Sequence, residues 1–178
     1  MSQEPQREYA RIDVQLWAKV DLLTPAKAAE LTDRVMKRPS VWAPREEAAL
    51  REITLTGSGV EAILAGSLLE VTEQIVHIRT ALQDQGPTHP ATILQLSGGG
   101  GLLSTELMPE LDSEIDLQLD APEQGAPPIR CVVRIVHRDP PDVYGFAFAA
   151  IHPRDQERLI RYLYTLQRRS IREHRREG

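Results

Sequence analysis

The chain has 178 residues, 41% of them hydrophobic and 26% charged, with a formal net charge of −5. That length suits one domain with its own core, or a small domain carrying a large insertion, and the acidic balance argues against wholesale nucleic-acid binding, which needs a basic surface to neutralise phosphates. Aromatic residues make up only 4%, which favours aliphatic packing, helical or coiled-coil, over an aromatic-rich sandwich.

The first residues, MSQEPQREYAR, are polar and lack the apolar core of a signal peptide. No apolar stretch approaches the roughly 18 residues that span a bilayer, so the expectation is a cytoplasmic protein. Arg7 and Arg11, four positions apart, precede the run RIDVQLWAKV at 11–20. There Ile12, Val14, Leu16 and Ala18 share one parity. Asp13, Gln15 and Lys19 share the other, with Trp17 as the exception. Such period-two alternation marks a half-buried strand.

Thr24-Pro25 then starts a helix, with Thr as N-cap and Pro at the first helical position. It should run toward Arg38 and stop at Pro39. A second helix begins near Pro44, where Glu46 and Glu47 meet the positive end of the helix dipole. It can continue to about Gln85, ahead of Gly86-Pro87, far beyond the average helix of about 11–12 residues. Leu50, Ile53, Gly57, Val60 and Leu64 are spaced 3-4-3-4. After one further four-residue step, Leu68, Val71, Ile75, Ile78 and Leu82 repeat that spacing. The pattern predicts two coiled-coil stretches joined by a stutter. The mixture of Ile, Val and Leu at both core positions permits a homo-trimer or tetramer. Two glycines in Thr56-Gly57-Ser58-Gly59 cost about 1 kcal/mol each in a helix interior. A break there would leave residues 60–85 as the oligomerising part.

From Ala91 onward strand-like runs return at 92–96, 102–105, 114–119, 129–137 and 143–150, divided by turn clusters such as GGGG, APEQGAPP and RDPPD. With the first run they predict an α+β fold built on a small antiparallel six-stranded β-barrel. Cys131, the single cysteine, excludes an internal disulfide and reads as a buried, inert thiol. From His152-Pro153, a segment with Asp155 and Glu157 in its first turn carries Leu159, Ile160, Leu163 and Leu166 at helical spacing. It predicts a C-terminal helix over 153–172 lying on the barrel.

One order of motifs runs through these elements. Arg7-x-x-x-Arg11 is followed by a strand, then by Gln95-Leu96-Ser97-Gly98-Gly99-Gly100, then by VVRIVHR at 132–138, YGFAFAAI at 144–151 and a terminal helix. This order resembles the PilZ domain, a bacterial receptor for the second messenger cyclic di-GMP, over 5–20 and 88–172. The resemblance implies a barrel over 7–20 and 88–152 interrupted by a helical insertion at 21–87. It further implies that Arg7 and Arg11 clamp phosphates and guanines while Gln95, Ser97 and Gly100 form the floor of the site. Arginine's planar fork suits both partners, since it pairs with a phosphate or a guanine edge and stacks on a base. One position departs from the family pattern: Gln95 stands where Asp or Asn is expected, one methylene longer and, unlike Asp, uncharged.

Other candidates read as ordinary surface. His77, His89, His137, His152 and His174 are scattered without ligand spacing, so no metal site is expected. Asp112, Glu114 and Asp116 alternate as on a strand's solvent face. No nucleophile-and-base pattern appears, and no enzyme or cofactor is expected. The basic run at 168–176 is a candidate surface for nucleic acid, an acidic partner or anionic lipid, although a basic helix end also complements the helix dipole. The expectation is a cyclic di-GMP adaptor that self-assembles through Val60, Leu64, Leu68, Val71, Ile75, Ile78 and Leu82 and acts on an effector protein. The alternative is a scaffold of the same fold that binds no nucleotide.

Overall fold

Six strands form the barrel: β1 (Ile12–Leu22), β2 (His89–Ser97), β3 (Gly100–Thr105), β4 (Glu114–Leu119), β5 (Ile129–Asp139) and β6 (Val143–Ala150). This computed structural model describes residues 11–37, 44–83, 86–120, 127–139 and 141–177. The barrel closes in the order β1-β2-β3-β6-β5-β4, with every neighbouring pair antiparallel. Closure removes the unpaired edges that an open sheet of this size would expose. Val20, Ile93, Leu96, Leu103, Ile135 and Tyr144 are fully buried inside, as the alternating pattern requires. Cys131 is buried with them and donates its thiol to the Leu117 carbonyl at 3.6 Å. Burial pushes its pKa up, and the charges of Asp116 and Asp155 add to the effect.

Two helices complete this unit. Helix α1 (Pro25–Met36) begins as expected: Thr24 caps it, accepting from the Lys27 N–H at 3.4 Å, and Pro25 opens the first turn. The sequence pattern places these residues in the insertion, yet Leu31 packs on Val132 and Ala150 of the barrel's outer face. An amphipathic helix of three turns has to bury its apolar stripe, and that face supplies the surface. The stop expected at Pro39 lies outside the described residues. Helix α4 (Pro153–Glu177) inserts Leu159 and Leu163 into the barrel core cluster. Asp116, on β4, is not the solvent-facing carboxylate its alternation suggests. It is buried and holds Arg130 at 2.6 Å.

The second unit spans Arg38–Gly86. The continuous helix of some forty residues that the spacing allows is interrupted. Helix α2 (Pro44–Thr56) and helix α3 (Val60–Gln83) pack against each other as a hairpin. The break falls at the glycines: the Gly57 N–H caps α2 on the Ile53 carbonyl at 2.8 Å, and Gly59 takes φ +72°, which other residues rarely adopt. The stripe Leu50–Ile53–Gly57–Val60 therefore runs along no single helix. Residues 60–83 keep their own repeat.

Candidate functional site

The β1–β2 ladder carries the Arg11 end of the arginine motif to the glycine turn. Ile12 pairs with Leu96 and Asp13 with Gln95, so Arg11 stands beside the Ser97–Gly100 turn. Arg7 lies outside the described residues. Arg11 is described one residue before β1 and is exposed. It shares the outward parity of Asp13.

Gln95 reaches this face because β2 is bulged. Between buried Ile93 and buried Leu96 stand two residues, Leu94 and Gln95, instead of one. A bulge of this kind re-aims a side chain. Gln95 Nε2 donates to Asp13 Oδ1 at 2.8 Å, which fixes the amide to the neighbouring strand.

Ser97 is buried and shapes the turn from within. Its hydroxyl donates to the Gly100 carbonyl at 2.9 Å and accepts from the Gly99 N–H at 3.4 Å. The turn is held from two further sides. Phe148 N–H donates to the Gly99 carbonyl at 3.1 Å, and Gln156 Nε2, from the first turns of α4, donates to the Gly98 carbonyl at 3.0 Å. Gly100 sits at φ +155°, and a Cβ there would stand 2.1 Å from the Phe146 carbonyl oxygen. Glycine is thus required at this position by the approach of β6, whatever its neighbours bind. Asp13, which the motif order does not include, stands on the same face as Gln95. Its parity with Arg11 was the available signal.

The oligomerisation candidates lie on α3. Val60, Leu64, Leu68, Val71, Ile75 and Ile78 are all between 46% and 70% exposed, while Ala65, Thr72 and Val76, about a third of a turn away, are buried. Leu82 shares the helix and the spacing, but its side chain is outside the described residues. A row of exposed apolar residues this long is unusual on a monomer. Among the described residues no helix is long and apolar enough to cross a membrane. Nor does any group of three His, Cys, Asp or Glu there have the arrangement of a metal site. In the basic run, Arg168 and Arg169 are exposed on α4.

Residues 75–165, just over half the chain, match the PilZ domain. The matched stretch contains the Gln95 turn and strands β2–β6 and leaves β1, with Arg11, outside it. No match is found among curated proteins. Among solved structures, the inhibitor of motility MotI/DgrA of Bacillus subtilis aligns at 14% identity with a TM-score of 0.50 over 94% of this chain. This chain spans about half of that one, 54%. A protein of Xanthomonas campestris, described as a tetrameric PilZ domain self-assembled via a helical bundle, aligns at 13% identity and a TM-score of 0.47. That alignment covers 92% of this chain and 91% of that one. At such identities the likeness speaks for the fold alone.

Proposed function

Because the chain belongs to the PilZ domain family, we propose that it is a cyclic di-GMP signalling adaptor that self-assembles through α3. What supports the ligand reading is the register that brings Arg11 beside the Ser97–Gly100 turn, although the motif halves are separated by the whole insertion. Arg7 and Arg11 clamp phosphates and guanines, and the turn forms the floor. A cyclic dinucleotide is dianionic, and arginine forks give it charge-assisted, bidentate contacts. The Gln156–Gly98 link passes a rearrangement of the turn to α4. The protein then acts in the cytoplasm on an effector by changing its partner surface, with no chemistry of its own.

Calorimetric titration with cyclic di-GMP tests this. Binding at micromolar concentration that is lost in the Arg7→Ala, Arg11→Ala double variant is the expected result. The absence of heat from the wild-type chain overturns it.

What supports self-assembly is the exposed α3 row, whose spacing is that of a helix-bundle seam. A trimer or tetramer is the reading, and light scattering checks it against the monomer mass of 20.0 kDa. A second reading, a scaffold that binds no nucleotide, is favoured by one observation: Ser97 and the carbonyls of Gly98 and Gly99 are already bonded within the protein. It predicts no effect of the arginine substitutions and loss of function when charges are placed at Val71 and Ile75.

A further inference from the structure

We propose that Asp13 is the residue that reads the guanine base at this site, with Gln95 as the positioning residue that holds its carboxylate; the inference rests on the cyclic di-GMP reading above. Gln95 spends one amide N–H on Asp13 Oδ1 at 2.8 Å. The cross-strand register and the Leu94 bulge fix both residues on the outward face. Among the described residues, neither Asp13 Oδ2 nor Gln95 Oε1 has another hydrogen-bond partner. The pair therefore presents a carboxylate oxygen, an amide oxygen and the second amide N–H side by side.

That array has a definite chemical complement. A carboxylate accepts and never donates, whereas a carboxamide presents one acceptor and one donor group. The Watson–Crick edge of guanine offers N1–H and the N2 amino group as adjacent donors, with O6 as an acceptor beside them. A carboxylate meets both donors, and the remaining amide N–H suits O6. Adenine places a lone pair at N1, which a carboxylate repels. Gln95 alone would not discriminate so sharply, because an amide can turn over to suit either base.

Charge makes the arrangement self-consistent. A lone carboxylate on the outer face would repel a dianionic nucleotide. Asp13 instead stands two residues from Arg11 on the same parity of the strand. One side chain takes phosphate while the other takes the base, and Gln95 neutralises neither.

The test is titration of the full chain with cyclic di-GMP and, separately, cyclic di-AMP, for wild type, Asp13→Asn and Gln95→Leu. Asp13 is exposed, and a melting curve on each variant verifies the fold. The expected result is a wild type that prefers the guanine ligand. Asp13→Asn should weaken cyclic di-GMP about 10- to 100-fold, as loss of one charged acceptor does, and bring the ratio of the two affinities toward one. Gln95→Leu, which keeps the carboxylate but removes its support, should lower the ratio by less. An Asp13→Asn variant with unchanged affinity and unchanged ratio overturns the assignment while leaving the receptor reading intact. A wild type that binds neither nucleotide overturns the receptor reading, and this assignment with it.

Discussion

His89 Nδ1 lies 2.5 Å from Asp21 Oδ1, joining the penultimate residue of β1 to the first residue of β2. Thr88 closes on the same carboxylate with its backbone N–H and its hydroxyl, both at 3.2 Å. Partial burial disfavours the charged carboxylate, but the bonds from His89 and Thr88 outweigh it, and the Asp21 pKa is lowered. A lowered folded pKa means stabilisation that is present above the unfolded value, about 3.9, and is lost as pH falls through the folded one. Asp21→Asn should therefore cost about 0.5–1 kcal/mol at neutral pH, the scale of a partly exposed pair. The difference from wild type should persist down to about pH 5 and shrink below about pH 4. Urea unfolding at several pH values checks this. A difference that grows on acidification contradicts it.

If the chain assembles through α3 as proposed, Val71→Glu with Ile75→Glu should convert the assembly to the 20.0 kDa monomer, because both residues are about half exposed in the single chain and charges there would have to be buried in the seam. Light scattering reads the mass, and circular dichroism should show the barrel unchanged. A wild type that is already monomeric refutes the assembly.

Gly100→Ala should destabilise by about 2 kcal/mol or more, since the new Cβ stands 2.1 Å from a backbone oxygen at a φ that suits glycine. The loss should be the same with and without nucleotide, which separates a structural role from a binding one. A melting curve is sufficient.

Asp116→Ala should cost about 3 kcal/mol, the upper end for hydrogen bonding between charged groups, because it removes the buried carboxylate that accepts from Arg130 Nε and Nη2. For a chain of this size that is a fall of about 6–12 °C in melting temperature. Replacing both residues by apolar ones should recover much of it.

Much of the barrel is legible in the sequence, for a physical reason. A strand whose one face is buried must alternate, and residues 12–20 and 114–119 do so. The Thr24-Pro25 start is equally local, since capping needs only neighbours. What alternation cannot show is where it fails. The Leu94 bulge breaks the parity of β2 and turns Gln95 outward, and nothing in the local pattern announces it. The Asp13–Gln95 bond joins residues 82 apart, and only the register brings them together. Likewise the repeat from Leu50 to Leu82 continues through Gly57-Ser58-Gly59 on paper. The backbone freedom of two glycines and the packing of α2 along α3 decide for the hairpin. The docking of α1 on the barrel depends on Val132 and Ala150, more than a hundred residues away.

Cys131 carries one more consequence. It is the chain's sole thiol, wholly enclosed and held protonated by its surroundings, so no alkylating reagent can reach it while the barrel stays shut. The protein therefore contains its own clock. The rate at which a small maleimide marks the native chain reports how often the barrel opens, and separation of the helical hairpin alone leaves that rate unchanged. Ligand or self-assembly that steadies the barrel would be read directly as a slower tick.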